Sequence, residues 1–412
     1  MELNYDIVVL GAGPAGIAAA VAAKRFGARV LLVDKNGVLG GMSTAGMLNI
    51  WCGDSHSKIL KRLLASSSKT TASGRRIFSP EALKYEYIKL VEEFGVDVLL
   101  HSFVCGVETD GNDVRCVKVV NKSGEISIFA SVFIDCTGDG DVANMAKVPF
   151  HMGREDGLMQ PMTVEFMIGG VDTKRALFKD ARYDQGLQAK MQEYLSDGRI
   201  SRPVGLIILV EALEPNTAYC NMTNVIGVDG TNVFDQTRAE MEARKQIPQI
   251  IRFLRENVKG YENCVALSSA AYAGSRETRR LQGKYCLTAD DVSQGRQFKD
   301  WLVEGADYCF GVHNPNGKVE EISGKPTETG NRYTIPYGCF VTEKVNNLMF
   351  AGKCISGDHY ALSSYRVMPI CFAMGEGVGA CAAYAVANNT KPNALGVEQI
   401  QDVQKLILSA EF

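Results

Sequence analysis

The chain of 412 residues has no excess of either charge: 44 Lys and Arg face 47 Asp and Glu, for a net charge of −3. There is therefore no broad basic field of the kind that attracts nucleic acid. No long uncharged apolar run suggests a membrane partner. The first strand starts so close to Met1 that no signal peptide fits ahead of it, and a cytoplasmic location is expected. The 12 cysteines form no CxxC pair and no tight cluster, so neither a metal nor an iron–sulfur centre is expected. Cys105, Cys116, Cys136, Cys371 and Cys381 sit in apolar stretches, as buried free thiols do in a reducing compartment. Nothing repeats along the chain. Low complexity is confined to Ser66–Ser73, a polar run ahead of Gly74-Arg75-Arg76 that reads as a mobile surface loop.

What is present begins at once. The apolar run Tyr5 to Leu10 leads into Gly11-Ala12-Gly13-Pro14-Ala15-Gly16, then a helical stretch from Ile17 to Phe26, then a second apolar run, Arg29 to Val33, closed by Asp34. A strand, a tight glycine turn, a helix and a strand ending in an acid make a dinucleotide cradle. Gly11 permits the turn, Gly13 lets the backbone approach a pyrophosphate, and Gly16 lets helix and strand pack closely. The helix N-terminus offers unpaired N–H groups and its positive dipole end to phosphates. Asp34 can accept hydrogen bonds from a ribose. The small-residue segment Gly40-Gly41-Met42-Ser43-Thr44-Ala45-Gly46 can pass close to a ligand.

Later segments come back to this cradle. A helix over Pro80 to Phe94, with Ser79 as N-cap, precedes β runs at Val96–Leu100, Phe103–Glu108, Val114–Asn121 and Ile126–Ile134. The last ends in Asp135-Cys136-Thr137-Gly138-Asp139-Gly140-Asp141. The strand Asn347–Ala351 leads into Gly352-Lys353-Cys354-Ile355-Ser356-Gly357-Asp358. Three visits to one cradle suit a long ligand such as FAD. Between them, no second GxGxxG occurs. Phe166–Ile168, Val204–Val210 and Tyr219–Met222 read as strands, and Asp235 to Val258 as one long helix holding Pro248. The expected architecture is α/β: a discontinuous Rossmann-like FAD-binding domain, residues 1–148 and 335–412, with an inserted α+β substrate domain, residues 149–334.

The segments GAGPAG, LGGMSTAG, FIDCTGDGDVA, GSRETRRLQGKY, YTIPYG and NLMFAGKCISGDHYALSSYRVMPICFAMGEGVGACAA resemble, in order and over nearly the whole chain, those of the FAD-dependent oxidoreductase family of the glutathione-reductase-like fold. That family includes flavoprotein parts of heterodisulfide-reductase-like complexes. Asp34 stands where the family often has Glu. The resemblance implies a cofactor set of Gly11, Ala12, Gly13, Pro14, Ala15, Gly16, Asp34, Lys35, Gly40, Gly41, Met42, Val104, Thr137, Gly138, Asp139, Gly352, Asp358, Val367 and Met368. It also implies that the helix opening near Pro369 aims its N-terminus at the flavin's pyrimidine ring, where a dipole stabilises the reduced anion. Gly375, Gly377 and Gly379 in that helix call for close packing against another backbone.

His359, Arg366, Tyr365 and Arg276 are the candidate catalytic residues. His359 falls in the family's Ile-Ser-x-x-His pattern and is read either as a general base or as a cofactor or loop contact. Arg366 suits a substrate carboxylate, the reduced flavin, or plain loop fixing. Arg276 lies with Arg279 and Arg280, and a structural ion pair with Glu277 is an equal reading. Tyr333 and Tyr337 read as core, or as hydrogen-bond donors that reach the site. Cys52 and His56 are lesser redox or acid–base candidates, and Cys354 a remote sulfur donor. The expected activity is hydride transfer between a small organic substrate and flavin. The alternatives are an electron-transfer subunit and a non-redox use of FAD. The electron acceptor is unknown and a homo-oligomer is left open.

Overall fold

The computed structural model describes residues 1–201, 206–317 and 332–412. β1 (Glu2–Leu10) ends in four fully buried residues, Ile7 to Leu10, as a central strand covered on both faces must. It lies parallel to β2 (Val30–Val33) on one side and to the strand Gly124–Asp135 on the other. Asp97–Leu99 extends the parallel set beyond β2, and Leu348–Phe350 pairs with the far side of Gly124–Asp135. Phe103–Asp110 and Asp113–Asn121 complete the seven-stranded sheet as an antiparallel meander. Register places Leu10 opposite both Val33 and Asp135, and Asp135 opposite Phe350. The carboxyl ends of the parallel strands therefore open onto one crevice, where such sheets bind ligands.

α1 (Pro14–Arg25) starts with Pro at the first helical position and buries Ala15 through Ala23. Against it lies the helix Met368–Ala387, which carries the three glycines. A Cβ added at Gly375 would stand 2.1 Å from the Ala15 carbonyl oxygen, and one at Gly379 would stand 2.3 Å from that of Ala19. On the opposite side, a Cβ at Gly377 would stand 2.2 Å from the Leu302 carbonyl oxygen. The glycine helix has the length and hydropathy of a membrane span, but nearly all of it is buried inside the fold. Its Glu376 carboxylate accepts the N–H groups of Lys58 at 3.1 Å and Ile59 at 2.8 Å, and the Ser57 hydroxyl, so it caps α2 (Lys58–Ser67) from outside.

The inserted part is built on an antiparallel sheet ordered Leu209–Glu211, Thr217–Cys220, Phe166–Gly169, Val265–Ser269. Its own core includes Phe166, Ile168, Met191, Leu209, Phe253 and Leu254. The helix Val233–Asn257 runs continuously through Pro248, with Asn232 as its side-chain N-cap. Part of the predicted strand from Val204 lies outside the described residues, and the observed strand starts at Leu209. Leu281, Leu287, Val292, Leu302 and Val303, expected in the inserted domain, share the core of β1 and the glycine helix.

Ser66–Ser73 is not the loop the sequence suggested. Ser66 and Ser67 end α2, and Ser68–Thr70 pairs with Arg76–Phe78 as a hairpin. The hairpin is pinned to the inserted sheet, with Ser73 Oγ donating to Glu211 at 2.7 Å and Arg75 Nη1 to the Leu209 carbonyl at 2.7 Å. Polar composition here supplies hydrogen bonds to an edge strand.

Because the Ala15 carbonyl is fixed by helix hydrogen bonding, Gly375→Val has to push the two helices apart. Overpacking of this kind costs about 1–3 kcal/mol. Urea unfolding of the purified variant should show that loss, and an unchanged midpoint would mean that the helices separate freely.

Candidate active site and cofactor cradle

The cradle sits at the carboxyl end of β1. Gly11 has φ +106°, and a Cβ there would lie 2.3 Å from the Cys136 carbonyl oxygen. A Cβ at Gly16 would lie 1.7 Å from the Gly11 carbonyl oxygen. Gly13 differs: nothing stands within 4 Å of the position its Cβ would take, so its lack of a side chain preserves open space, not packing. No side chain caps α1, which leaves its first N–H groups facing that space. Asp34 is buried, and its carboxylate accepts the Ala12 N–H at 2.5 Å and both the N–H and side-chain amide of Asn36, at 2.7 and 2.8 Å. It thus fixes the turn as well as offering a ribose acceptor.

The later segments are clasped to the cradle by Lys353. Its ammonium pairs with Asp139 and donates to the Gly138 carbonyl at 2.7 Å and the Thr278 hydroxyl at 3.1 Å. Burial pushes the Asp139 carboxyl up, but Lys353 and the Thr278 hydroxyl more than offset this and hold it below the usual range. Tyr272, from the inserted part, brings its hydroxyl near Gly41, and burial followed by the charges of Asp34 and Asp139 pushes it up.

Next to this lies a buried charge network. Glu277 Oε1 accepts from both Arg280 and His359 Nδ1, the latter at 2.9 Å, and its Oε2 accepts the Gln160 N–H at 3.2 Å. Arg280 is held further by the Gly357 and Gly153 carbonyls, at 3.1 and 2.8 Å. A carboxylate only accepts, so His359 carries its proton on Nδ1. His359 Nε2 is buried and has no hydrogen-bond partner among the described residues. Arg366 Nη2 donates to the Gly311 carbonyl at 2.9 Å and to Gln160 Oε1 at 3.4 Å. Arg276 donates to the Pro161 carbonyl, Thr163 Oγ1 and Asn221 Oδ1. Asn221 in turn donates to Glu165 at 2.8 Å. Burial pushes the Glu165 carboxyl up to about 8, with Arg276 only partly opposing.

A family model described as FAD dependent oxidoreductase matches residues 6–405. The chain belongs to the FAD dependent oxidoreductase family. Among curated relatives, digeranylgeranylglycerophospholipid reductase of Methanosarcina mazei is 27% identical over 200 residues, 42% of this chain and 46% of that protein. Dihydrolipoyl dehydrogenase of Vibrio parahaemolyticus is 27% identical over 143 residues, 35% of this chain and 28% of that protein. The match thus spans less than half the length of these relatives. Among solved structures, a geranylgeranyl bacteriochlorophyll reductase-like protein from Thermoplasma acidophilum superposes with TM-score 0.50 at 15% identity, covering 99% of this chain and 84% of its own. A p-nitrophenol 4-monooxygenase from Pseudomonas putida gives TM-score 0.50 at 10% identity, covering 100% and 87%. At these identities the likeness concerns fold.

The residues present fit the family's FAD. Gly11 stands against Thr137, Gly41 against Gly13, Gly352 against Ala15 and Asp34 against Ala12, and Val367 precedes a helix that no side chain among the described residues caps. Lys35 is exposed, and Val104 is a half-buried residue paired with Val119. Met42 packs at Gly46 and Gly274. The Asp358 carboxylate is engaged as N-cap of the helix His359–Tyr365 and by the Ala289 N–H, both at 2.7 Å. Tyr365 is fully buried, its hydroxyl donating to the Ile355 carbonyl at 3.2 Å, and burial pushes it far up; it is a core residue. Tyr333 and Tyr337 are likewise core, bonded to Ser364 and the Pro392 carbonyl. Glu277 pairs with Arg280 and His359, not with Arg276.

His56 lies on the surface against Glu304. Burial, then the neighbouring Glu165, pushes the Cys52 thiol up to about 11, so it is no reactive thiolate at neutral pH. Cys354 is fully buried and likewise pushed up. The sequence gives no local role to Lys353, Glu165, Gln160 or Tyr272, and shows Glu277 only as an ion-pair partner within its motif. An acid inside the apolar run Val164-Glu165-Phe166-Met167-Ile168 was the one local signal for Glu165.

Two outcomes follow. Gly13→Val fills the open space, so the variant should purify folded but largely colourless; full flavin content would place the phosphates elsewhere. For Glu165, the folded pKa of about 8 exceeds the ordinary 4.5. The folded state then holds a proton that the unfolded state has released, so stability falls as pH rises from about 4.5 to about 8. Glu165→Gln should flatten part of that fall in unfolding experiments at pH 5 and pH 8, and an identical slope would show that Glu165 does not titrate in this window.

Proposed function

We propose that this FAD dependent oxidoreductase transfers a hydride between a small organic substrate and flavin, with His359 exchanging the accompanying proton at Nε2. The observation that supports this is the unpartnered Nε2 of a histidine whose other nitrogen is tied to Glu277. In the neutral ring Nε2 is a lone-pair acceptor, and the carboxylate behind it stabilises the imidazolium that forms when a proton arrives. Arg280 keeps Glu277 in place through two backbone carbonyls, so the imidazole is oriented before substrate binds. When bound, FAD supplies the two-electron acceptor or donor at N5. The chain's own residues orient the substrate and move the proton.

His359→Gln keeps a polar side chain but removes the titratable nitrogen. The variant should retain FAD while the reductive half-reaction, followed by anaerobic bleaching with any substrate found by screening, slows roughly 10²–10⁴-fold. Glu277→Gln should slow it less and shift its pH profile. A normal rate across pH in His359→Gln would remove His359 from the chemistry.

A further inference from the structure

Arg276 and Arg366 lie around one stretch of chain. Arg276 donates to the Pro161 carbonyl at 2.8 Å, Arg366 to the side chain of Gln160 at 3.4 Å, and the His313 N–H to the same Gln160 oxygen at 3.1 Å. Every acceptor these two guanidiniums use is neutral: the Pro161 and Gly311 carbonyls, the Thr163 hydroxyl, the Asn221 amide and the Gln160 amide. Among the described residues neither forms an ion pair, whereas Arg280 next to them has Glu277. Two donor groups in the same cluster have no partner among the described residues, Arg366 Nε and Gln160 Nε2, both sealed from solvent, and Gln160 is 1% exposed. Gln160 Oε1 already accepts two hydrogen bonds, which fixes the amide so that its NH₂ is the free end.

The surrounding groups do not cancel this charge. The negative charge of Glu277 reaches Arg366 but is already shared by Arg280 and His359. Glu165 makes no hydrogen bond to Arg276 but shares Asn221 with it, and although the two charges attract, burial keeps the Glu165 proton on near neutral pH. Burial, then the charge of Arg366, draws Arg276 down to about 9. His313 is held neutral by burial and by Arg276, Arg366 and Arg182. Charge left uncompensated in a shielded place is costly, and a bound anion with hydrogen bonds to both forks relieves it.

We propose that Arg276 and Arg366, with the Gln160 amide, bind an oxyanion substituent of the substrate, a carboxylate or a phosphate. This rests on the reading that a small substrate enters beside His359, and it names the class of that substrate as anionic. Gln160 joins the two halves of the site: its N–H bonds Glu277, which orients His359, and its side chain bonds Arg366. The oxyanion is thereby anchored at a fixed distance from the proton-exchanging nitrogen.

The test is isothermal titration of the FAD-loaded protein at pH 7 with succinate, with inorganic phosphate and with uncharged succinamide, so no turnover is needed and the outcome is independent of the role of His359. Saturable binding of succinate or phosphate is expected, the tighter of the two identifying the anion, with succinamide silent. Arg276→Gln and Arg366→Gln should each weaken that binding about tenfold or more, and the Lys variants less. Should a Gln variant fail to fold, the Lys variant together with Gln160→Leu carries the comparison. Absence of anion binding, equal binding of succinamide, or unchanged affinity in both arginine variants would overturn the proposal. So would a shift in flavin midpoint potential with unchanged anion affinity, since the donors would then serve the cofactor.

Discussion

The carbonyl oxygens of Ala15 and Ala19 lie where side chains of residues 375 and 379 would otherwise be. This backbone-to-backbone contact sets everything near the crevice. It fixes the start of the glycine helix relative to the start of α1, and no side chain among the described residues caps either helix. Glycine weakens a helix by about 1 kcal/mol relative to alanine. Here that loss is offset by packing along two faces, since Gly377 admits the Leu302 carbonyl from the other side. Glu376, between Gly375 and Gly377, then carries the order outward by capping α2.

Burial decides the electrostatics of the site more than proximity does. Three carboxyls are pushed up by it: Asp135 to about 6, Glu376 to about 7 and Glu165 to about 8. The first two are partly rescued by backbone N–H groups, Thr137 and Ala143 for Asp135, Lys58 and Ile59 for Glu376. Glu165 has one amide donor and a single opposing arginine, and rises furthest. Of the three, only Glu165 keeps its proton above neutral pH, and it does so beside Arg276, so a count of ionisable residues overstates the negative charge there.

Local patterns made the cradle readable. The spacing of Gly11, Gly13 and Gly16 is a local signature, although only Gly16 is forced by a neighbour in the same turn, and the helix Pro80–Phe94 is bounded by Ser79 and by Gly95 at φ +66° as its sequence predicts. The catalytic candidates were harder because helix geometry splits neighbours. Tyr365 is six residues from His359 on one short helix, which at about 3.6 residues per turn points it about 120° away, into the core. Glu277 was visible in its motif, but its partner His359 is 82 residues away, and nothing local distinguishes pairing with Arg276 from pairing with Arg280. Ser66–Ser73 misled because polar residues serve an edge strand as well as they serve a loop.

The clasp of Lys353 on Asp139 joins positions 214 residues apart, and the contact of Gly375 with Ala15 spans most of the chain. Closing such loops is entropically costly before the contacts that reward it exist. The glycine turn, although made first, stays an open half-site until the last quarter of the polypeptide has folded back upon it. A chain stopped short of Lys353 therefore carries the glycine turn without the clasp on Asp139 or the helix that packs on Ala15.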